Sequence, residues 1–189
     1  MRFDRFVSPH SYGPTAVRST SRRSSDVLTL GTKWTTHAAI PSGSLLCLVG
    51  ISWDGDSLDI VHKAILELAG DDQPSLLHFA EEIAAYLRAH KVRELFIQRP
   101  PVSGPKAGSH LNQKSEAALW LQRQVRAQGA SSMQVASWLK KNDVMLPEPE
   151  ARLPKRHRQL LERTYGAAAF ALSKKLEQQH HQRREGTCA

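Results

Sequence analysis

The stretch from Leu95 to Leu121 concentrates the residues whose types and spacing could do chemistry. It reads Leu-Phe-Ile-Gln-Arg-Pro-Pro-Val-Ser-Gly-Pro-Lys-Ala-Gly-Ser-His-Leu-Asn-Gln-Lys-Ser-Glu-Ala-Ala-Leu-Trp-Leu. An apolar strand ends in Arg99, a glycine-containing loop carries Lys106 and Gly108, and a helix opens through Lys114 and Glu116. Loops at the C-terminal ends of sheet strands are where α/β proteins usually hold their ligands. Backbone amides at a helix start, joined by Arg99, Lys106 and Lys114, suit a phosphate, because unpaired N–H groups and cations both favour an anion. The plain alternative is a solvated loop in which Lys114 and Glu116 merely decorate a helix start.

Other catalytic signatures are missing. The chain has no phosphate-cradling P-loop, no Gly-x-Ser-x-Gly nucleophile turn, no His-Glu-x-x-His helix and no Cys-x-x-Cys pair. His157, His180 and His181 lie on or beyond a basic helix without cysteine or carboxylate companions, so surface histidines are the better reading than a zinc site. Cys47 falls in an apolar run and Cys188 at the C-terminus, a pair that points to reduced thiols and hence to the cytoplasm. No apolar run approaches the roughly 20 residues of a membrane span. The formal net charge is +8, with an isoelectric point near 9.8. Such a surface attracts polyanions, so nucleic acid, an acidic protein or an anionic membrane are the physically favoured partners.

The elements that must position these groups can be outlined from patterning. Residues 1–42 interleave serines with Arg2, Arg5, Arg18, Arg22 and Arg23 and offer few apolar anchors, so a disordered Ser/Arg-rich tail is expected there. The same composition fits a transit peptide less well, given Asp4 and Asp26, or a start placed too far upstream. Folded structure is expected over 43–176, with a basic C-terminal tail over 177–189. Leu45-Leu-Cys-Leu-Val-Gly-Ile51 is a strand buried on both faces, and Asp54-Gly55-Asp56 turns it into a second strand over Leu58–Leu66. Pro74 opens a helix in which Leu76, Phe79, Ile83 and Leu87 form one apolar face. Val92–Gln98 is the next strand. A helix from Lys114 to about Gln128, closed by Gly129, a short strand over Ser131–Ala136, at most a helical turn over Ser137–Asn142, and a last helix from about Lys155 complete the series. Strands alternating with helices in this way indicate one α/β domain with a central sheet and covering helices.

Leu48-Val-Gly-Ile-Ser52, the segment Ile97–Leu121 with its Lys114-x-Glu116-Ala-Ala helix start, and Thr164-Tyr-Gly-Ala-Ala-Ala-Phe-Ala-Leu172 resemble an uncharacterised bacterial family related to RuvC resolvases. The resemblance covers about residues 45–175 and implies a ribonuclease-H-like, RuvC-like mixed sheet flanked by helices. Here one strand of the usual three-stranded N-terminal meander is expected to be missing. Active members of that class cut phosphodiester bonds with Mg²⁺ or Mn²⁺, which needs several carboxylates converging on the ions. This chain has Ser52 where the first carboxylate is expected, Gln98-Arg99 at the next strand end, and Tyr165–Ala169 in the last helix. Only Glu116 matches the pattern, with Asp54 and Asp56 displaced just beyond the first strand; Asp54 and Glu116 are the candidate metal ligands, and all three are the candidate catalytic groups. The expectation is a degenerate, non-catalytic resolvase-like domain that grips nucleic acid through Arg99, Lys106 and Lys114 and uses no cofactor. The alternatives are a divergent nuclease using Mg²⁺ or Mn²⁺, and a protein-interaction module whose basic helix over 155–184 meets an acidic partner.

Overall fold

An apolar run such as Leu45–Ile51 must be covered on both faces, and the computed structural model, which describes residues 34–54, 57–100, 109–144 and 146–186, shows how this is done. Strand β2 (Leu45–Trp53) lies between β1 (Trp34–Ser42) and β3 (Leu58–Glu67). The sheet continues through β4 (Glu94–Arg99) to β5 (Arg126–Ser131), in the order β3-β2-β1-β4-β5. The first three strands form an antiparallel meander, and β4 and β5 add parallel to β1. Helices α1 (Gln73–Ala89) and α2 (His110–Trp120) cover one face; α4 (Lys155–Gly186) covers the other, with α3 (Ser132–Asn142) beside it.

The meander therefore has all three strands, which corrects the expected deficit. The missing member is β1, lying within the stretch expected to be a tail up to residue 42. Residues His37 to Pro41 of this strand are buried. Thr35, Thr36 and His37 hide it from any count of apolar residues, because its burial comes from its central place in the sheet.

The two cores follow strand alternation, with successive side chains on opposite faces. Ala39, Leu46, Leu48 and Ile97 pack with Phe79, Ile83 and Leu87 of α1. Ala38, Ile40, Cys47 and Val49 pack with Leu161, Tyr165, Ala168 and Leu172 of α4. Small residues at 167–169 and 171 bring α4 close to the sheet, and Gly166 does the same for α3, since a Cβ there would stand 2.7 Å from Leu139 Cδ1.

Three boundaries differ from expectation. The second helix ends at Trp120, not near Gln128; Leu121, which fits the apolar spacing, is 75% exposed. Gly129 is not a helix cap but pairs with Ile97 inside β5. The segment after it is a full helix, α3, started by a reciprocal capping box between Ser131 and Gln134.

Candidate nucleic-acid interface

Parallel pairing brings the ends of several strands to one edge. His37 pairs with Leu95 and Ala39 with Ile97, so Arg99 falls level with Pro41, while Ser131 pairs directly with Arg99. The β1–β2 turn sits at this edge, and its Gly43 has φ +66, a conformation that favours glycine. A Cβ on Gly43 would stand 2.7 Å from Arg156 Nη2, and that guanidinium donates to the Ser42 carbonyl at 3.1 Å. The Gly43 amide donates to the Asn112 carboxamide of α2. Ser109 caps α2 by accepting from the Asn112 amide, so the helix begins over the turn and ends with Trp120 over Gly129 of β5.

Along α2 the polar groups are held in place. Lys114 Nζ donates to the Asp71 carbonyl at 2.7 Å and lies 3.6 Å from the Asp71 carboxylate, tying α2 to the start of α1. His110 Nδ1 is 4.0 Å from the same carboxylate. Two residues beyond Lys114, and so on another side of α2, Glu116 Oε1 accepts from the Trp120 indole at 3.1 Å and lies 3.5 Å from Arg99 Nε. The Arg99 guanidinium also lies over the Trp120 ring, 4.9 Å from its centroid. Gly129 makes room for this stack: a Cβ there would be 2.9 Å from Arg99 Nε and 3.3 Å from Trp120 Cζ2. Arg99 is 53% exposed, so the stacked guanidinium still faces water.

The candidate residues thus divide. Arg99 and Glu116 meet at this edge and Lys114, on the same helix, turns to Asp71, whereas Asp54 lies elsewhere. Trp53, its neighbour, pairs with Trp34 at the opposite end of β1. From Trp34 to Pro41 the strand rises about 23 Å at roughly 3.3 Å per residue. Asp54 accepts from the Ser57 amide at 2.9 Å and the Ser57 hydroxyl at 3.2 Å, the usual work of an aspartate in a turn. Asp56 and Lys106 lie outside the described residues.

The three other positions compared with resolvases are buried without a carboxylate. Ser52 is 1% exposed with its hydroxyl unpartnered, and it lies at the Asp54 end of the sheet. Gln98 and Tyr165 are likewise buried. A two-metal centre requires converging carboxylates. Among the described residues no group of three or more His, Cys, Asp or Glu is placed to hold a metal ion, so these side chains do not fit an Mg²⁺ or Mn²⁺ pair.

Sequence patterning misses Arg156 and the Trp120 stack, which depend on contacts across the sheet. It also misses a histidine column. His37 of β1 pairs with Gly50 of β2, which pairs with His62 of β3, so both rings rise from one row of the sheet with a gap between them. Their centroids are 6.0 Å apart and the rings nearly parallel; His90, at the end of α1, lies 3.9 Å from His62. Burial, followed by the neighbouring histidines and Lys175, lowers the His37 pKa to about 4. Burial lowers those of His62 and His90 too.

A mixed five-stranded sheet in this order, with helices on both faces, defines a ribonuclease-H-like fold of the RuvC type. Thermus thermophilus RuvC matches with a TM-score of 0.57 at 12% identity, covering 75% of this chain and 97% of that one. T. thermophilus RuvC in complex with a Holliday junction substrate matches with a TM-score of 0.56 at 14% identity, covering 71% and 90%. The chain belongs to the family described as protein of unknown function (DUF3010), whose model matches residues 42–172. No curated protein matches it. Among the described residues no helix is long and apolar enough to cross a membrane.

Proposed function

We propose that this chain is a RuvC-fold protein that binds nucleic acid without cutting it by a two-metal route. The observation that supports this most directly is the state of Glu116, the one carboxylate matching the resolvase pattern. It is engaged with Arg99 and with the Trp120 indole, and the other described candidate, Asp54, sits at the far end of the sheet. What the edge presents instead is cationic: Arg99 and Arg156 flank the β1–β2 turn and α2, with Lys114 behind them. Guanidinium groups suit phosphate oxygens because their donors form a planar fork. A RuvC of the same fold, seen with a Holliday junction substrate, makes branched DNA the first ligand to try.

Fluorescence anisotropy with labelled four-way junction, duplex and single-stranded DNA tests this over a salt series. Each neutralised phosphate contributes close to one unit of log–log slope, so three contacts lower affinity by about 40-fold over a fourfold rise in salt. The double change Arg99→Glu with Arg156→Glu removes the binding. Binding to none of the three, or binding insensitive to salt, refutes the proposal.

A further inference from the structure

A cleft of about 550 Å³ opens at the other end of the sheet, lined by Thr35, His37, His62, His90 and a ring of charged groups. His37 is 7% exposed, and its Nε2 atom has no hydrogen-bond partner; the buried Tyr86 hydroxyl, whose ring lies 4.5 Å from that of His90, has none either. Buried polar atoms without partners are uncommon and call for an explanation, a bound ligand among them. Gly50 leaves room for the His37 ring, since a Cβ there would stand 2.8 Å from His37 Cδ2 and Nε2.

The charged groups come from every element around the column. Lys91 follows α1, Arg93 and Glu94 lead into β4, and Lys175 projects from α4. Three cations face one carboxylate, and that carboxylate already accepts from Lys175 at 2.7 Å. Lys91 holds the left-handed position that ends α1, at φ 51, where glycine or asparagine is usual. The polar side chains that line the cleft are therefore mostly donors: lysine and arginine donate only, and an imidazole donates from both nitrogens once protonated. A ligand that only accepts answers all of them.

We propose that this cleft binds a small tetrahedral oxyanion of the phosphate class, independently of the nucleic-acid edge and with uptake of protons by the histidine column. Burial opposes the charged form of each histidine, and repulsion adds to it at His37, from His62, His90 and Lys175, and at His62, from His90. An anion in the cleft beside them offsets that repulsion, so binding and protonation favour each other.

Sulfate keeps a constant charge over the relevant range and serves as the first probe. Thermal unfolding is followed against sodium sulfate, with sodium chloride at matched ionic strength, at about pH 6 and about pH 8, together with the ring resonances of the histidines. A saturable stabilisation is expected, with apparent affinity about fivefold or more tighter at the lower pH, as linkage to protonation requires. The three ring signals move together. Inorganic phosphate at about pH 8, where it is mostly the dianion, behaves as sulfate does. The double change His62→Gln with Lys175→Gln, at two partly exposed positions, removes the effect, and Arg99→Glu leaves it intact. A response unchanged in the double variant, one lost in Arg99→Glu, an affinity independent of pH, or binding of sulfate but not of phosphate overturns the proposal.

Discussion

Glu116 Oε1 lies 3.5 Å from Arg99 Nε and accepts from the Trp120 indole at 3.1 Å, so one carboxylate oxygen joins the end of a strand to the last turn of a helix. The carboxylate for which the resemblance to resolvases implies metal binding lies in this structure between a cation and an aromatic ring.

This arrangement predicts how Glu116→Gln behaves. A double-mutant cycle with Arg99→Ala returns a coupling below about 1 kcal/mol, since Arg99 is more than half exposed and water screens the pair. Incubation of the wild type with junction DNA in Mg²⁺ or Mn²⁺ yields no cleavage products. Cleavage that disappears in Glu116→Gln would show instead that this glutamate serves as a catalytic group.

Gly50→Ala is expected to destabilise the fold by about 1–3 kcal/mol in urea unfolding, the usual cost of overfilling a packed site. The added methyl would meet the His37 ring at 2.8 Å. Since the contact is specific, His37→Ser in the same chain recovers most of the loss. Additive losses in the double variant would place the cause in the backbone of β2.

Stability should fall on acidification through the histidine column. His37 has a folded-state pKa of about 4 against 6.5 unfolded, so between these values the unfolded chain binds more protons. Above about pH 6.5 the group is neutral in both states and costs nothing; as pH falls toward 4 it removes up to about 3 kcal/mol. Urea unfolding in an anion-poor buffer at several pH values measures this, and His37→Gln flattens that part of the profile. An unchanged profile in the variant would assign the loss to other groups.

The Cys47 thiol is fully buried beneath α4, and burial pushes its pKa up to about 12 against the bond from Thr164. A thiolate is the reactive form. In a Cys188→Ser background, labelling by a disulfide reagent at about pH 8 therefore proceeds at the rate of unfolding and speeds up with urea. Rapid labelling of the native protein would contradict this burial.

Much of the fold is legible in the residues because it rests on local patterns. The apolar run of β2, the turn after Trp53, Pro74 with the Phe79–Ile83–Leu87 face, and the alanine-rich stripe of α4 each carry a period or punctuation of their own. Arg99, Lys114 and Glu116 could be singled out by the same means, as they lie within one strand–loop–helix segment.

What the residues alone leave open is set by pairing over long separations. Whether Trp34–Ser42 forms a strand depends on β2 and β4 being there to flank it. Whether Asp54 can meet Glu116 depends on β2 running antiparallel to β1, which sends the two carboxylates to opposite ends of the sheet. The register His37–Gly50–His62 likewise exists only once three strands are aligned. By its periodicity the sequence determined an α/β domain, and the resemblance to resolvases implied that it is poor in suitably placed carboxylates. Tertiary structure decided which charges share an edge, because hydrogen-bonded strand order, not distance along the chain, sets the separation of side chains on a sheet.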